Sequence, residues 1–274
     1  MSDIDTGHVG IVEKAAKEGG KRAMEWFRTE IDSENKAESS AEIINPADVV
    51  TDADRAAQRK VIDVIKEEYP DDAIVGEEED ELKSVPKTGT AWVIDPIDGT
   101  YNFARGGRDW ATSVAVVRDG NPIAAANFLP ALGDMYVASS GEMTRNGTRV
   151  AVSDRPEPKY SSVAPMVIPD YGDREGFGNA TKEIVTNFGN IRRYGSAQVT
   201  CALVASGVLE GAVTHRKLNP WDSIAGAYMI EEAGGKITDI DGEKWTHESQ
   251  GLVASNGRSH DEILAVARTM AGNR

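Results

Sequence analysis

The chain has 274 residues, enough for one large domain or two small ones around a packed core. Its 30 basic and 45 acidic residues leave a net charge of −15, which opposes nonspecific binding to nucleic acid or to an anionic membrane. The single cysteine, Cys201, excludes an internal disulfide framework and a cysteine-based zinc site, and no apolar run is long enough to span a membrane.

The opening MSDIDTGHVG carries neither a basic nor an apolar leader, so the expected location is cytoplasmic. Residues 8–30 read as a helix, with Ile11, Ala15, Ala23, Trp26 and Phe27 near helical spacing. Gly19 and Gly20 weaken it, because glycine costs about 1 kcal/mol in a helix interior. The polar stretch 32–48 has no periodicity and reads as a loop. A second helix then runs from the cap in TDADRAAQ to Pro70, with Ala57, Val61 and Ile65 on one face. Acidic residues crowd 69–72 and 76–81. They suit an ordinary solvated surface, or a high-salt habitat in which screening relieves self-repulsion. Short strands are expected at AIVG (73–76) and TAWVIDP (90–96). A hairpin over 112–130 turns at Asp119-Gly120-Asn121, and DMYVASS (134–140) continues the sheet.

SDRPEPKYSS (153–162) is a polar, proline-containing connection and the expected domain boundary, giving units 1–153 and 154–274. Beyond it the pattern predicts helices near 172–188, 196–206, 222–233 and 259–271, alternating with strands at 190–194, 208–214, 236–240 and 251–255. The fold class is therefore α/β overall, α+β in the first half and α/β in the second. Cys201, on an apolar helix face, reads as core packing.

AWVIDPIDGTYNF (91–103) ends an apolar strand in two carboxylates, Asp95 and Asp98. Each alone is an ordinary turn residue. Together they repel unless a cation lies between them, and all-oxygen donors point to a hard divalent ion, Mg²⁺ or Mn²⁺. The Ile97 carbonyl is a further oxygen within reach. Two residues separate the aspartates, whereas the haloacid-dehalogenase type of phosphatase has one, which argues against an aspartyl-phosphate mechanism. Gly99 permits close backbone approach, and Thr100 opens a helical turn whose amides suit a phosphate.

These residues resemble the inositol monophosphatase family, magnesium-dependent and lithium-sensitive phosphatases that include types with fructose-1,6-bisphosphatase activity. WVIDPIDGTYNF matches the family's central motif. VGEEE (75–79), PWDSIAGAYMIEEAGG (220–235) and DVVTDADRAAQ (48–58) match three others in the expected order. The resemblance covers roughly 48–255 and implies a layered αβαβα sandwich, a homodimer, and two to three Mg²⁺ ions, with Mn²⁺ as substitute.

The resemblance also implies roles. Glu77, Asp95 and the Ile97 carbonyl would hold the first ion, and Asp95, Asp98 and Asp222 the second, with Glu77 supporting a third. Thr100 and Glu77 would orient the attacking water, and Asp54 would activate Thr100. The amides of Gly99 and Thr100 would hold the phosphate, and Gly195, Ser196 and Ala197 would line the polyol end. Without the resemblance, Asp222 reads as a helix cap and Ser196 as another. Inositol-selective members carry a glutamate seven residues before the aspartate of Trp-Asp; here His215 stands there, followed by Arg216 and Lys217. The expected substrates are small phosphorylated polyols or sugars, namely inositol monophosphate or fructose 1,6-bisphosphate, with 3′-phosphoadenosine 5′-phosphate as the alternative. The reading from a different class is a non-catalytic regulator that binds an anion or a partner.

Overall fold

The computed structural model describes residues 3–28, 33–35, 49–167 and 174–272. Helices α1 (Asp3–Met24) and α2 (Asp52–Glu68) flank a short antiparallel ribbon of β1 (Ser33–Asn35) and β2 (Val49–Thr51). A seven-stranded sheet follows in chain order. Its strands are β3 (Ala73–Gly76), β4 (Thr90–Asp98), β5 (Ala111–Arg118), β6 (Asn121–Leu129), β7 (Asp134–Ser139), β8 (Glu142–Arg145) and β9 (Thr148–Arg149). Only β3 and β4 run parallel. The short helix α3 (Thr100–Ala104) leaves the end of β4.

A second sheet has the order β11-β10-β12-β14-β13. It is built from β10 (Ser162–Pro165), β11 (Asn190–Ile191), β12 (Gly211–Thr214), β13 (Lys236–Thr238) and β14 (Leu252–Ser255). Between these strands run α4 (Arg174–Asn187), α5 (Ala197–Ala205) and α6 (Pro220–Glu232), and α7 (His260–Met270) follows the last.

The two-residue period of the strands decides what packs where. In β4, Trp92 and Ile94 join Val12, Ala16, Val61 and Ile65 of α1 and α2, while Ala91 and Val93 enter the core shared with α5 and α6. In the second sheet, Ala212, Leu252 and Ala254 face that same central core, and Val213 and Val253 face Ile184, Ile263 and Ala267 of α4 and α7. Strands apolar on both sides must be covered on both. Five layers result, the αβαβα sandwich that the family resemblance implies. Truncating the fully buried Trp92 to alanine costs about 3–5 kcal/mol on the scale of such deletions. The sandwiched α6 is buried nearly all round, as a helix between two sheets must be. Its Gly226 faces α5 so closely that a β-carbon there would lie 2.4 Å from Cys201 Cβ. Cys201 is therefore core packing, with burial pushing its thiol up to about 12.

Several element boundaries differ from the sequence reading. The first helix spans 3–24 rather than 8–30, and residues 29 and 30 lie outside the described residues. Its glycine pair is a packing requirement: β-carbons at Gly19 and Gly20 would meet Val61 Cγ2 at 2.4 Å and Phe128 Cδ1 at 2.6 Å. Within the stretch read as a loop, 33–35 form a strand, too short for periodicity to register, and 36–48 lie outside the described residues. The strands expected at 190–194, 208–214 and 236–240 shorten to 190–191, 211–214 and 236–238. The β8–β9 hairpin escaped the sequence reading, although Asn146-Gly147 marks it. Positive φ values of 52° and 74° there, like 49° and 77° at Asp119-Gly120, are the signature of two-residue hairpin turns. Among the described residues no helix is long and apolar enough to cross a membrane.

Candidate metal and phosphate site

Residues three apart on a regular strand point to opposite faces. Asp95 and Asp98 escape this because β4 bulges between them: Asp95 pairs with Ser113 and Asp98 with Ala111, three steps against two. The inserted residue turns Asp98 to the side of Asp95. Pro96 has no N–H to lose from the broken ladder, and its carbonyl accepts from Thr112 Oγ1 at 2.7 Å. Gly99 then adopts φ 98°, a left-handed conformation glycine takes without strain.

Asp222, in the first turn of α6, supplies a third carboxylate. The helix begins at Pro220 with Asn219 in the cap position, so Asp222 is not the cap. Carboxylate oxygens of Asp95, Asp98 and Asp222 lie within 4.8 Å of one another. Asp98 is held by the start of α5: the Ser196 hydroxyl donates to it, as do the amides of Gln198 at 2.6 Å and Ala197 at 3.3 Å. Asp222 receives Asn219 Nδ2 at 2.9 Å. Asp95 is buried, and neither of its oxygens has a hydrogen-bond partner.

Burial, then the charges of Glu77, Asp98, Asp222 and Asp54, drive the Asp95 carboxyl well above the usual aspartate range. Burial pushes Asp98 up to about 6 against the opposing bonds from Ser196, Gln198 and Ala197. Asp222 is also driven well above its usual range by burial of its carboxylate and by Glu77 and Asp98, although the residue as a whole keeps partial exposure. Glu77 stands outside the close group of three, yet it is the strongest charged neighbour of Asp95 and Asp222. A cluster with one wholly unbonded carboxylate is opposed by both desolvation and repulsion. A divalent cation relieves both, and the all-oxygen donor set suits a hard ion.

Asp54 lies buried in the first turn of α2. The Thr100 hydroxyl stands 3.2 Å from Asp54 Oδ1 and 3.0 Å from the Ile97 carbonyl, so strands and helix meet at one proton. Gly99 abuts the α5 start: a β-carbon there would lie 3.1 Å from Ser196 Cβ. Ser196 caps α5, accepting from the Val199 amide at 3.0 Å, and also donates to Asp98. Of the basic run after β12, His215 is buried, Arg216 half-buried, and Lys217 exposed and paired with Glu248.

Four residues at the site escaped the sequence reading. Gln198 donates its backbone amide to Asp98 and its Nε2 to the Trp221 carbonyl at 2.7 Å, and its Oε1 accepts from Asn127 Nδ2 at 2.9 Å, which ties β4, β6, α5 and α6 together. Asn219 bonds Asp222. Gln58 and Lys83 grip the loop carrying Glu77, where Glu78 is buried and the exposed Glu79 pairs with Arg59. The position of Asn219 three residues before Asp222 was a usable local signal; Gln58 and Gln198 act across 20 and 100 residues of sequence, and Lys83, though only six residues from Glu77, belongs to no motif.

A five-layered sandwich that gathers carboxylates at the end of a sheet strand, with a hydroxyl beside them, has the architecture and donor set of a metal-dependent phosphatase. The profile of the inositol monophosphatase family matches residues 8–271, and the chain belongs to that family. It is 34% identical over 220 residues to a fructose-1,6-bisphosphatase/inositol-1-monophosphatase of Thermotoga maritima, covering 80% of this chain and 82% of that protein. It is 32% identical over 221 residues to a putative Nus factor SuhB of Neisseria meningitidis serogroup B, covering 80% and 84%. Among solved structures, an inositol monophosphatase of Thermotoga maritima superposes with a TM-score of 0.83 at 30% identity, covering 99% of both chains. The protein is thus a phosphoric monoester hydrolase of a metal-dependent family that acts on small phosphorylated substrates.

Proposed function

We propose that the protein hydrolyses a small sugar or polyol phosphate with Mg²⁺, as a homodimer, and that fructose 1,6-bisphosphate or another bisphosphate is turned over at least as well as inositol 1-phosphate. The observation that carries the metal reading is the trio Asp95, Asp98 and Asp222, with both Asp95 oxygens buried and unbonded. Glu77, Asp95 and the Ile97 carbonyl hold one ion, Asp95, Asp98 and Asp222 a second, and Glu77 a loosely held third. Bound there, the ions lower the pKa of water and neutralise charge on the phosphoryl group and leaving oxygen.

The chain does the rest by position. Asp54 accepts the Thr100 proton, which leaves the Thr100 oxygen free to orient a water, and Glu77 receives a proton from that water. The Gly99 and Thr100 amides hold the phosphate. Gly195, Ser196 and Ala197 line the polyol end, the latter two while holding Asp98. His215 replaces the acceptor expected in inositol-selective relatives, which weakens discrimination for a neutral polyol. Arg216 beside it favours a second anionic group. Inhibition by Li⁺ belongs to the same reading, through the ion site of Asp95, Asp98 and Asp222.

The decisive measurement is kcat/KM for fructose 1,6-bisphosphate and inositol 1-phosphate on the wild type and His215→Glu, with and without Mg²⁺. A wild type preferring inositol 1-phosphate about tenfold or more, unchanged in the variant, would remove the rim from substrate choice. The SuhB likeness supports one second reading, a regulator that keeps the fold and binds a partner. Absence of Mg²⁺-dependent hydrolysis across a panel of phosphate esters would favour it.

A further inference from the structure

Three of the four side chains in the metal reading stand on regular elements: Asp95 and Asp98 on β4, Asp222 on α6. Glu77 alone stands on a loop, just past the end of β3. That loop is acidic throughout, from Glu77 to Glu81, so its side chains repel one another. Its ends are closed by the strand-like pairing of Val75 with Leu82, the Gly76 amide donating to the Leu82 carbonyl at 3.1 Å. Nothing in the pairing fixes the residues between.

Lys83 does so. Its Nζ donates to the carbonyls of Gly76 at 2.8 Å, Glu77 at 2.9 Å and Glu78 at 3.4 Å. An ammonium has three protons and no acceptor, so three carbonyls converging on it must all face the same way. That convergence sets the peptide planes on both sides of Glu77 Cα, and with them the direction of its side chain. From the other side, buried Gln58 closes a pair of bonds with Glu78: Nε2 to the carbonyl at 2.7 Å and Oε1 from the amide at 3.0 Å. The same Lys83 ammonium lies 5.7 Å from the centre of the Trp221 ring, the residue before Asp222. One cation thus touches the loop of Glu77 and the helix start of Asp222, two segments that approach the metal position from different layers.

We propose that Lys83 is a positioning residue that sets metal affinity by clamping the Glu77 loop against the start of α6. The inference rests on the metal reading above and adds to it a residue that touches neither ion nor substrate. Lys83 is exposed as a whole, so replacing it leaves the core intact.

Mn²⁺ binding followed by electron paramagnetic resonance, without substrate, tests this on the whole chain. Lys83→Met should raise the Mn²⁺ Kd about tenfold, the scale of lost support behind a metal ligand. Lys83→Arg, which keeps a charged multi-proton donor, should recover most of that loss. Metal-saturated kcat should stay within about twofold while the metal concentration for half-maximal activity rises with Kd. In a Glu77→Gln background, Lys83→Met should add nothing, because the two act through one loop.

An unchanged Kd in Lys83→Met overturns the proposal, as does full additivity with Glu77→Gln, or a lost kcat at unchanged Kd. If Lys83→Met does not fold, Lys83→Gln carries the same expectations. A wild type that binds Mn²⁺ but hydrolyses no phosphate ester defeats the functional reading while leaving the Kd comparison to decide on Lys83. A wild type that binds no Mn²⁺ defeats both.

Discussion

Asp95→Asn should make the metal-free protein more stable and the metal-loaded protein no more stable than that. Asp98, with three donors supporting its charge, is still pushed up to about 6. That is roughly two units above an ordinary aspartate, or about 3 kcal/mol against ionisation. Asp95 has no donors, and burial and then the charge of Glu77 drive it well above the aspartate range. After discounting for water entry and relaxation, removing its charge at about pH 8 should add about 2 kcal/mol. For a chain of 274 residues the gain corresponds to a Tm rise of about 3–4 °C.

The pH dependence fixes the sign. A carboxyl whose folded pKa is raised contributes stability below its unfolded pKa, and that contribution is lost as pH rises through the folded value. The advantage of Asp95→Asn should therefore vanish below about pH 4 and grow as pH rises from there toward the raised folded value. Thermal unfolding of both proteins in chelator and in excess Mg²⁺ reads this out. Wild type should rise in Mg²⁺ and the variant should not. A variant less stable than wild type in chelator, or one stabilised equally by Mg²⁺, would refute the account of the cluster.

Asp98→Asn should lose about 99% of turnover with the fold retained, since metal stabilisation of phosphoryl transfer is worth several kcal/mol; turnover near wild type would contradict its role. Gly226→Ala should cost about 1–3 kcal/mol, because its β-carbon would sit 2.4 Å from Cys201 Cβ. An unshifted unfolding midpoint would mean that α5 and α6 can part freely. His260 is buried between Thr238 and Ser255 and pushed down to about 4 by burial and then by Lys236. Its depressed value makes stability that is present above about pH 6.5 and lost as pH falls toward 4, up to about 3 kcal/mol. Wild type should therefore lose that much more than His260→Gln over this interval in chemical denaturation, and parallel curves would show His260 does not titrate there.

The carboxylates that the fold brings together stand in contiguous motifs, Asp95 and Asp98 closing an apolar strand and Asp222 opening an apolar helix. What brings Asp95 and Asp98 to one face was not legible, since a bulge exists only relative to the partner strand. The layers came from the family resemblance, since a strand such as β4 is apolar on both faces and shows no alternation, whereas the glycines of α1 looked like a defect until Val61 and Phe128 were seen against them. Gln198 and Lys83 are polar residues without motif spacing. Their significance comes from contacts made across the fold, Gln198 with Asp98 and Lys83 with Trp221.

Asp95 and Asp98 ride on the seven-stranded sheet, but His215 and Arg216 hang from β12 of the other one. Between the two sheets lies the layer of α5 and α6. Drift in the loop after β12 therefore has a mechanical fuse: the chain runs from that loop straight into α6, whose buried face resists displacement. A lineage can rewrite residues 215–217 generation after generation while inheriting the β4 end intact. Libraries randomised at those three positions should accordingly yield many folded proteins that still bind Mn²⁺ and differ chiefly in which ester they accept, whereas libraries at 95–98 should yield few.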